Sequence, residues 1–148
     1  MKAVIINKYG GPGVLEYTDV VTPKAADNEV LIKIKAAAVN PVDWKIRLGN
    51  LKFITGKKFP VYMGTEFSGI VEAVGERVKN IQPGQRVFAG LSHKGGAYAD
   101  FAKAPEENVV TLADNTDFIE GSTFAVAGIT TLQALQDNGK IEPGMHVL

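Results

Sequence analysis

Short apolar or alternating runs, most of them closed by a glycine or a proline, fill most of this 148-residue chain. Runs of that length suit strands and are too short for helices that bury one long face. The first, "KAVII" at 2–6, stops at the turn-forming "YGGPG". In "EVLIKIKAAAV", 29–39, Val30, Ile32 and Ile34 point to one face and Leu31, Lys33 and Lys35 to the other. "GIVEAVG" and "QRVFAG" flank a turn built on "QPGQ", where Pro83 fixes φ and Gly84 tolerates a positive one. "GGAYADFAKAP" alternates up to Pro105, and "NVVTL" makes a last short strand. Many close-spaced strands with Gly and Pro turns predict a mainly β fold, an antiparallel barrel or sandwich.

Two helical signals interrupt the strands. In "NPVDWKIRLG", Asn40 suits an N-cap, Pro41 sits at N1, Asp43 falls at N3 and Gly49 supplies a left-handed stop. The second signal starts at Asp117, which has capping-box spacing to Glu120. It runs on through "ITTLQALQDNG", with a bend expected at Gly128 and a C-cap at Gly139.

Composition excludes several function classes. Sixteen basic residues balance sixteen acidic ones, so net charge gives no argument for nucleic acid. Lys52, Lys57 and Lys58 form the nearest thing to a basic cluster and read as a solvated loop. Without cysteine there is no disulfide, no thiol nucleophile and no thiolate zinc site, in keeping with a cytoplasmic location. No apolar run approaches a membrane span, so no membrane partner is expected. No G-x-G-x-x-G follows a strand and opens a helix, so the glycines of "GTEFSG" and "GGAY" read as backbone devices, not a phosphate cradle. "KIEPGMHVL" reads as a turn and the opening of a strand, from which a second domain is expected to follow.

Taken together, "NPVDWKIRLG", G-x-E-x-x-G-x-V-x-x-V-G with "VKNIQPGQRV" after it, and "GGAYADF" resemble the GroES-like catalytic domain of medium-chain dehydrogenases/reductases. The branch is that of the zinc-free quinone oxidoreductases and enone reductases. The resemblance covers nearly the whole chain and implies a partly open barrel with short helices at its rim. It divides the chain into a GroES-like domain, 1–125, and a connecting helix with the first strand of a nucleotide-binding domain, 126–148. It implies hydride transfer from NADPH to a small quinone or α,β-unsaturated carbonyl, and suggests a homodimer. The alternative is a non-catalytic GroES-like module for structure or protein interaction, with an apolar patch exposed from Phe124 to Leu135. A chaperonin subunit would share only the barrel.

The resemblance also orders the candidate residues. The zinc-ligand positions of metal-dependent relatives hold Asn40, Thr65 and, within about a residue, Val126, and these cannot assemble a zinc site. No metal is expected. Carbonyl reduction then needs hydrogen-bond donors aimed at the substrate oxygen. Asn40, also an ordinary N-cap, is placed in the nicotinamide and substrate pocket. Lys45, otherwise an exposed helical lysine, would bind the ribose hydroxyls and relay a proton. Thr130, otherwise a threonine bonding its own helix, would contact the carboxamide. Trp44, Tyr62 and Phe53 are the candidate apolar wall. Asp43 reads as structural, His93 as exposed. Glu66 resembles a carboxylate that sits behind the metal in zinc relatives and is left to partner a pocket cation or backbone; as a buried carboxylate it needs a partner such as Arg47 or Lys45.

Overall fold

The computed structural model describes residues 1–56, 58–91 and 95–146. Among these, eight strands form two antiparallel sheets. The smaller is ordered β2–β1–β4, from Leu15–Asp19, Lys2–Ile6 and Val61–Tyr62. The larger is ordered β7–β3–β5–β6–β8, from Phe101–Pro105, Glu29–Ala37, Glu66–Val74, Arg86–Gly90 and Val109–Thr111. A bridge between Ala3 and Ala99 and a bond from the Val4 N–H to the Tyr98 carbonyl (2.8 Å) join them into the expected partly open barrel.

The alternation in β3 does what its pattern predicts. Val30 and Ile32 are fully buried, Ile34 packs at the margin, and Lys33 and Lys35 are exposed. Together with Phe67, Val71 and Val87 from β5 and β6 they make the main core. A second cluster, Ile6, Ile46, Val61 and Met63, seats helix α1 against the smaller sheet. The "QPGQ" turn forms as expected, with Gly84 at φ 86°. "GGAYADFAKAP" becomes a strand only from Phe101. Its first half is taken up by Met63 and Gly64, whose carbonyls accept from the N–H groups of Gly96, Ala97 and Tyr98.

Helix α1 spans Pro41–Leu48, behind Asn40 and ahead of Gly49 at φ 80°. Gly49 has a second reason to be glycine: a Cβ there would stand 2.8 Å from Cγ of Tyr9. A short helix α2, Lys52–Thr55, follows.

The second helical signal divides differently from expectation. Asp117 does cap, accepting from the Glu120 N–H at 2.8 Å, but helix α3 is only Phe118–Gly121. The hydroxyls of Ser122 and Thr123 donate to the carbonyls of Ile119 and Glu120 and close it. Helix α4, Phe124–Leu132, starts afresh and passes through Gly128 and across the expected 125/126 boundary. It widens into a π-helical stretch, Gln133–Asn138. Gly139 holds the C-cap position in a right-handed conformation, and the positive φ falls on Lys140. Pro143 and Gly144 make the expected turn, and the end of the strand foreseen after it lies outside the described residues.

Candidate functional site

Strand β5 opens on Glu66, immediately after Thr65, at the point where α1 and α4 both begin. Gly64 brings the chain in at φ 87°, and a Cβ there would lie 2.7 Å from the Tyr98 backbone nitrogen. The strand therefore starts tight against Tyr98, and its first carboxylate is only 1% exposed.

Glu66 is satisfied entirely by neutral donors. Nδ2 of Asn40 donates to its Oε1 at 2.7 Å, and the backbone N–H of Val126 donates to its Oε2 at 2.7 Å. Val126 is the third residue of α4, so Glu66 fills the capping role that Thr123 does not. Neither Arg47 nor Lys45 is the partner. One helical step of 100° per residue carries Lys45 to the outer side of α1 when Asp43 and Ile46 face inward. The Lys45 ammonium instead lies 5.6 Å from the Trp44 ring centroid. Nε of Arg47 donates to the Gly10 carbonyl.

Asp43 extends the network. Its Oδ2 accepts from the Asn40 backbone N–H at 2.7 Å and from the Tyr98 hydroxyl at 2.9 Å. Its Oδ1 accepts from the Thr65 hydroxyl at 3.2 Å. This is the N3 role read from the sequence, enlarged into a hub. Burial, and then the Asp43 carboxylate beside it, push the Tyr98 phenol well above the ordinary range. Among the described residues every buried polar side-chain atom has a partner.

Two clefts meet at this network, and both are lined by Thr65, Leu91 and Val126. The first, about 300 Å³, runs between α1 and α2 over Val42, Ile46, Leu51 and Ile54. The second, about 390 Å³, runs along α4 over Phe88, Asn108, Val110, Ile129 and Thr130. The two clefts thus meet at the Thr65 side chain, one hydrogen bond from Asp43.

The residues singled out from the sequence are distributed unevenly. Asn40 lies in the network. Thr130 lines the second cleft while its hydroxyl donates to the Val126 carbonyl at 2.6 Å. Trp44, Tyr62 and Phe53 do not converge. Tyr62 lines a separate cavity with Met1 and Phe101, and Phe53 is 79% exposed. His93 lies outside the described residues. Sequence reasoning missed the aliphatic wall of Val42 and Ile46, although their i, i+4 spacing was visible, and it missed Tyr98, which reaches Asp43 from the bend ahead of β7. Groups of three or more His, Cys, Asp or Glu able to hold a metal are absent among the described residues.

Residues 26–114 match the family model of the alcohol dehydrogenase GroES-like domain. A chloroplast envelope quinone oxidoreductase homolog from Arabidopsis thaliana is 42% identical over 91% of this chain and 42% of its own. The quinone oxidoreductase of Sus scrofa is 39% identical over all of this chain and 44% of its own. The solved quinone oxidoreductase of Coxiella burnetii superposes at a TM-score of 0.89 with 31% identity, covering 97% of this chain and 46% of that one. The Escherichia coli quinone oxidoreductase complexed with NADPH superposes at 0.87 with 29% identity, covering 97% of this chain and 43% of that one. The chain thus spans less than half the length of these relatives.

Proposed function

Since this chain belongs to the alcohol dehydrogenase GroES-like domain family, whose relatives here are quinone oxidoreductases, we propose that it forms the substrate-binding part of a zinc-independent enzyme. That enzyme uses NADPH to reduce a small quinone or an α,β-unsaturated carbonyl. The observation carrying this reading is the pairing of Glu66 with Asn40 and the Val126 N–H. Each oxygen of both buried carboxylates accepts from a protein donor. Asn40, Thr65 and Val126 offer neither imidazole nor thiolate to a metal.

NADPH supplies the hydride when it is bound. The second cleft suits its nicotinamide: Phe88, Val110 and Ile129 offer apolar surface for a ring face, and Thr65, Asn108 and Thr130 offer polar groups for a carboxamide. The chain's own task is to steady charge on the substrate oxygen. An amide carries two N–H donors, and Glu66 takes one from Asn40. We assign the other to the substrate oxygen, held in place because Glu66 fixes the amide plane. The apolar body of the substrate would lie in the first cleft, against Val42, Ile46 and Leu51. Lys45 would have to swing from the outer side of α1, away from Trp44, to reach the ribose hydroxyls and pass a proton to the reduced substrate oxygen, and Thr130 would turn from the Val126 carbonyl to the carboxamide.

In the whole protein, NADPH oxidation with a small quinone tests this. We expect turnover that a chelator leaves unchanged, and a loss of about 100-fold in kcat for Asn40→Ala. Turnover that disappears with chelation, or an Asn40→Ala variant as fast as the parent, contradicts the assignment. Lys45→Ala should raise the KM for NADPH.

One observation favours a second reading, an interaction module. Ile129 and Leu132, on the same stripe of α4 as the buried Ala125, are more than half exposed. That face predicts self-association, a homodimer being its simplest form. A monodisperse monomer at high concentration in light scattering counts against it.

A further inference from the structure

The stretch from Trp44 to Phe59 is unlike the rest of the surface. It carries five basic residues and no acidic one, whereas the remainder of the chain has eleven basic and sixteen acidic. Of the four described basic residues here, Lys45, Arg47, Lys52 and Lys58, none forms an ion pair among the described residues. Large apolar side chains stand beside these charges: Phe53 is 79% exposed, with Trp44, Leu48, Ile54 and Phe59 exposed to lesser degrees.

Tyr9 brings the stretch together. Its ring packs on Gly49 at the end of α1 and meets Phe59 edge-on at 5.0 Å between centroids. Its hydroxyl bonds Thr55 and the Gly56 carbonyl at the end of α2. Tyr9 therefore gathers the end of α1, the end of α2 and Phe59 around one ring, with Lys52, Phe53, Ile54 and Lys58 in the segment it holds.

We propose that this surface docks on an anionic lipid bilayer. Unpaired lysines answer lipid phosphates, and aromatic and branched side chains beside them answer the acyl boundary. A polyphosphate partner alone would use the charges and leave Phe53 and Ile54 in water, so the combination favours lipid over nucleic acid. The reading of Lys52, Lys57 and Lys58 as a merely solvated loop omits these apolar neighbours. It is also compatible with the lack, among the described residues, of any helix long and apolar enough to cross a membrane. The site is peripheral. Ile54 is exposed and also lines the first cleft. On the reading of that cleft as a quinone site, a lipid-dissolved substrate would enter past it.

Co-sedimentation of the chain with vesicles tests docking without any assay of activity. Phosphatidylcholine vesicles containing phosphatidylglycerol should retain it at low ionic strength, and phosphatidylcholine alone should not. Lys52→Glu with Lys58→Glu should weaken binding at least about thirtyfold. Phe53→Ser, at a position that supports no core, should weaken it severalfold while leaving the melting temperature unchanged. No retention on the anionic vesicles overturns the proposal. So does retention that Phe53→Ser leaves intact and an oligonucleotide abolishes, the mark of a charge-only surface.

Discussion

Helices α1 and α4 both start beside Glu66, but different parts of the chain hold them there. The start of α1 is held by its own residues: Asp43, three positions on, accepts from the Asn40 N–H, and Gly49 ends the helix within the same stretch. The start of α4 is held by a carboxylate sixty residues away in sequence, Glu66, which accepts from the Val126 N–H. A local cap is written next to the helix it serves. A tertiary cap is written wherever the fold brings the chain back. The same Glu66 holds the Asn40 side chain, so one carboxylate ties the two helices together and shapes the junction of the clefts.

The sharpest way to break this comparison is Glu66→Ala. It leaves the Asn40 amide and the Val126 N–H without acceptors in a buried site, which should cost about 4 kcal/mol. Chemical denaturation measures it, and a cost under about 1 kcal/mol would mean that α4 does not depend on Glu66. Next comes the stop of α1. Gly49→Ala forces a Cβ into a left-handed conformation and against Tyr9, and should cost about 2 kcal/mol. A purely local cap should matter less. Asp117→Ala, which loses only the bond from the Glu120 N–H, should cost about 1 kcal/mol.

The smallest effect is a pH dependence. The folded phenol of Tyr98 lies above its unfolded value near 10.0, so the folded state keeps a proton that the unfolded state loses. Its contribution is complete below that pH and falls away as the pH rises through the unfolded and then the folded value. Tyr98→Phe should flatten this alkaline loss of stability in denaturation at stepped pH. An unchanged slope would assign the loss to other groups.

Which features were legible in the sequence follows the same division. The strands with buried alternation, β3 above all, and the capped helix α1 were readable because their signals are local. Strands β2 and β4 were not. The first is an edge whose side chains mostly face solvent, and the second is two residues long. One helix with a bend at Gly128 is expected because glycine is the usual weak point, whereas the hydroxyls of Ser122 and Thr123 end α3 and a new helix starts. Asn40 and Glu66 were visible as site residues, but their partnership was not. Arg47 or Lys45 is the expected cation for Glu66 because buried charge usually finds one, and a backbone N–H with a neutral side-chain amide serve instead. The aromatic residues drew attention as a substrate wall, while the cleft beside the network is lined by the aliphatic Val42, Ile46 and Leu51.

Hydrogen bonds donated to Glu66 organise the site, and on the proposed function it works without a metal. A two-dimensional proton–nitrogen NMR spectrum, recorded with and without stoichiometric zinc, tests it most directly. The Asn40 side-chain amide and Val126 backbone signals should stay in place when zinc is added and move when Glu66 is replaced by glutamine. Zinc-induced shifts centred on Asn40, Thr65 and Glu66 would contradict it.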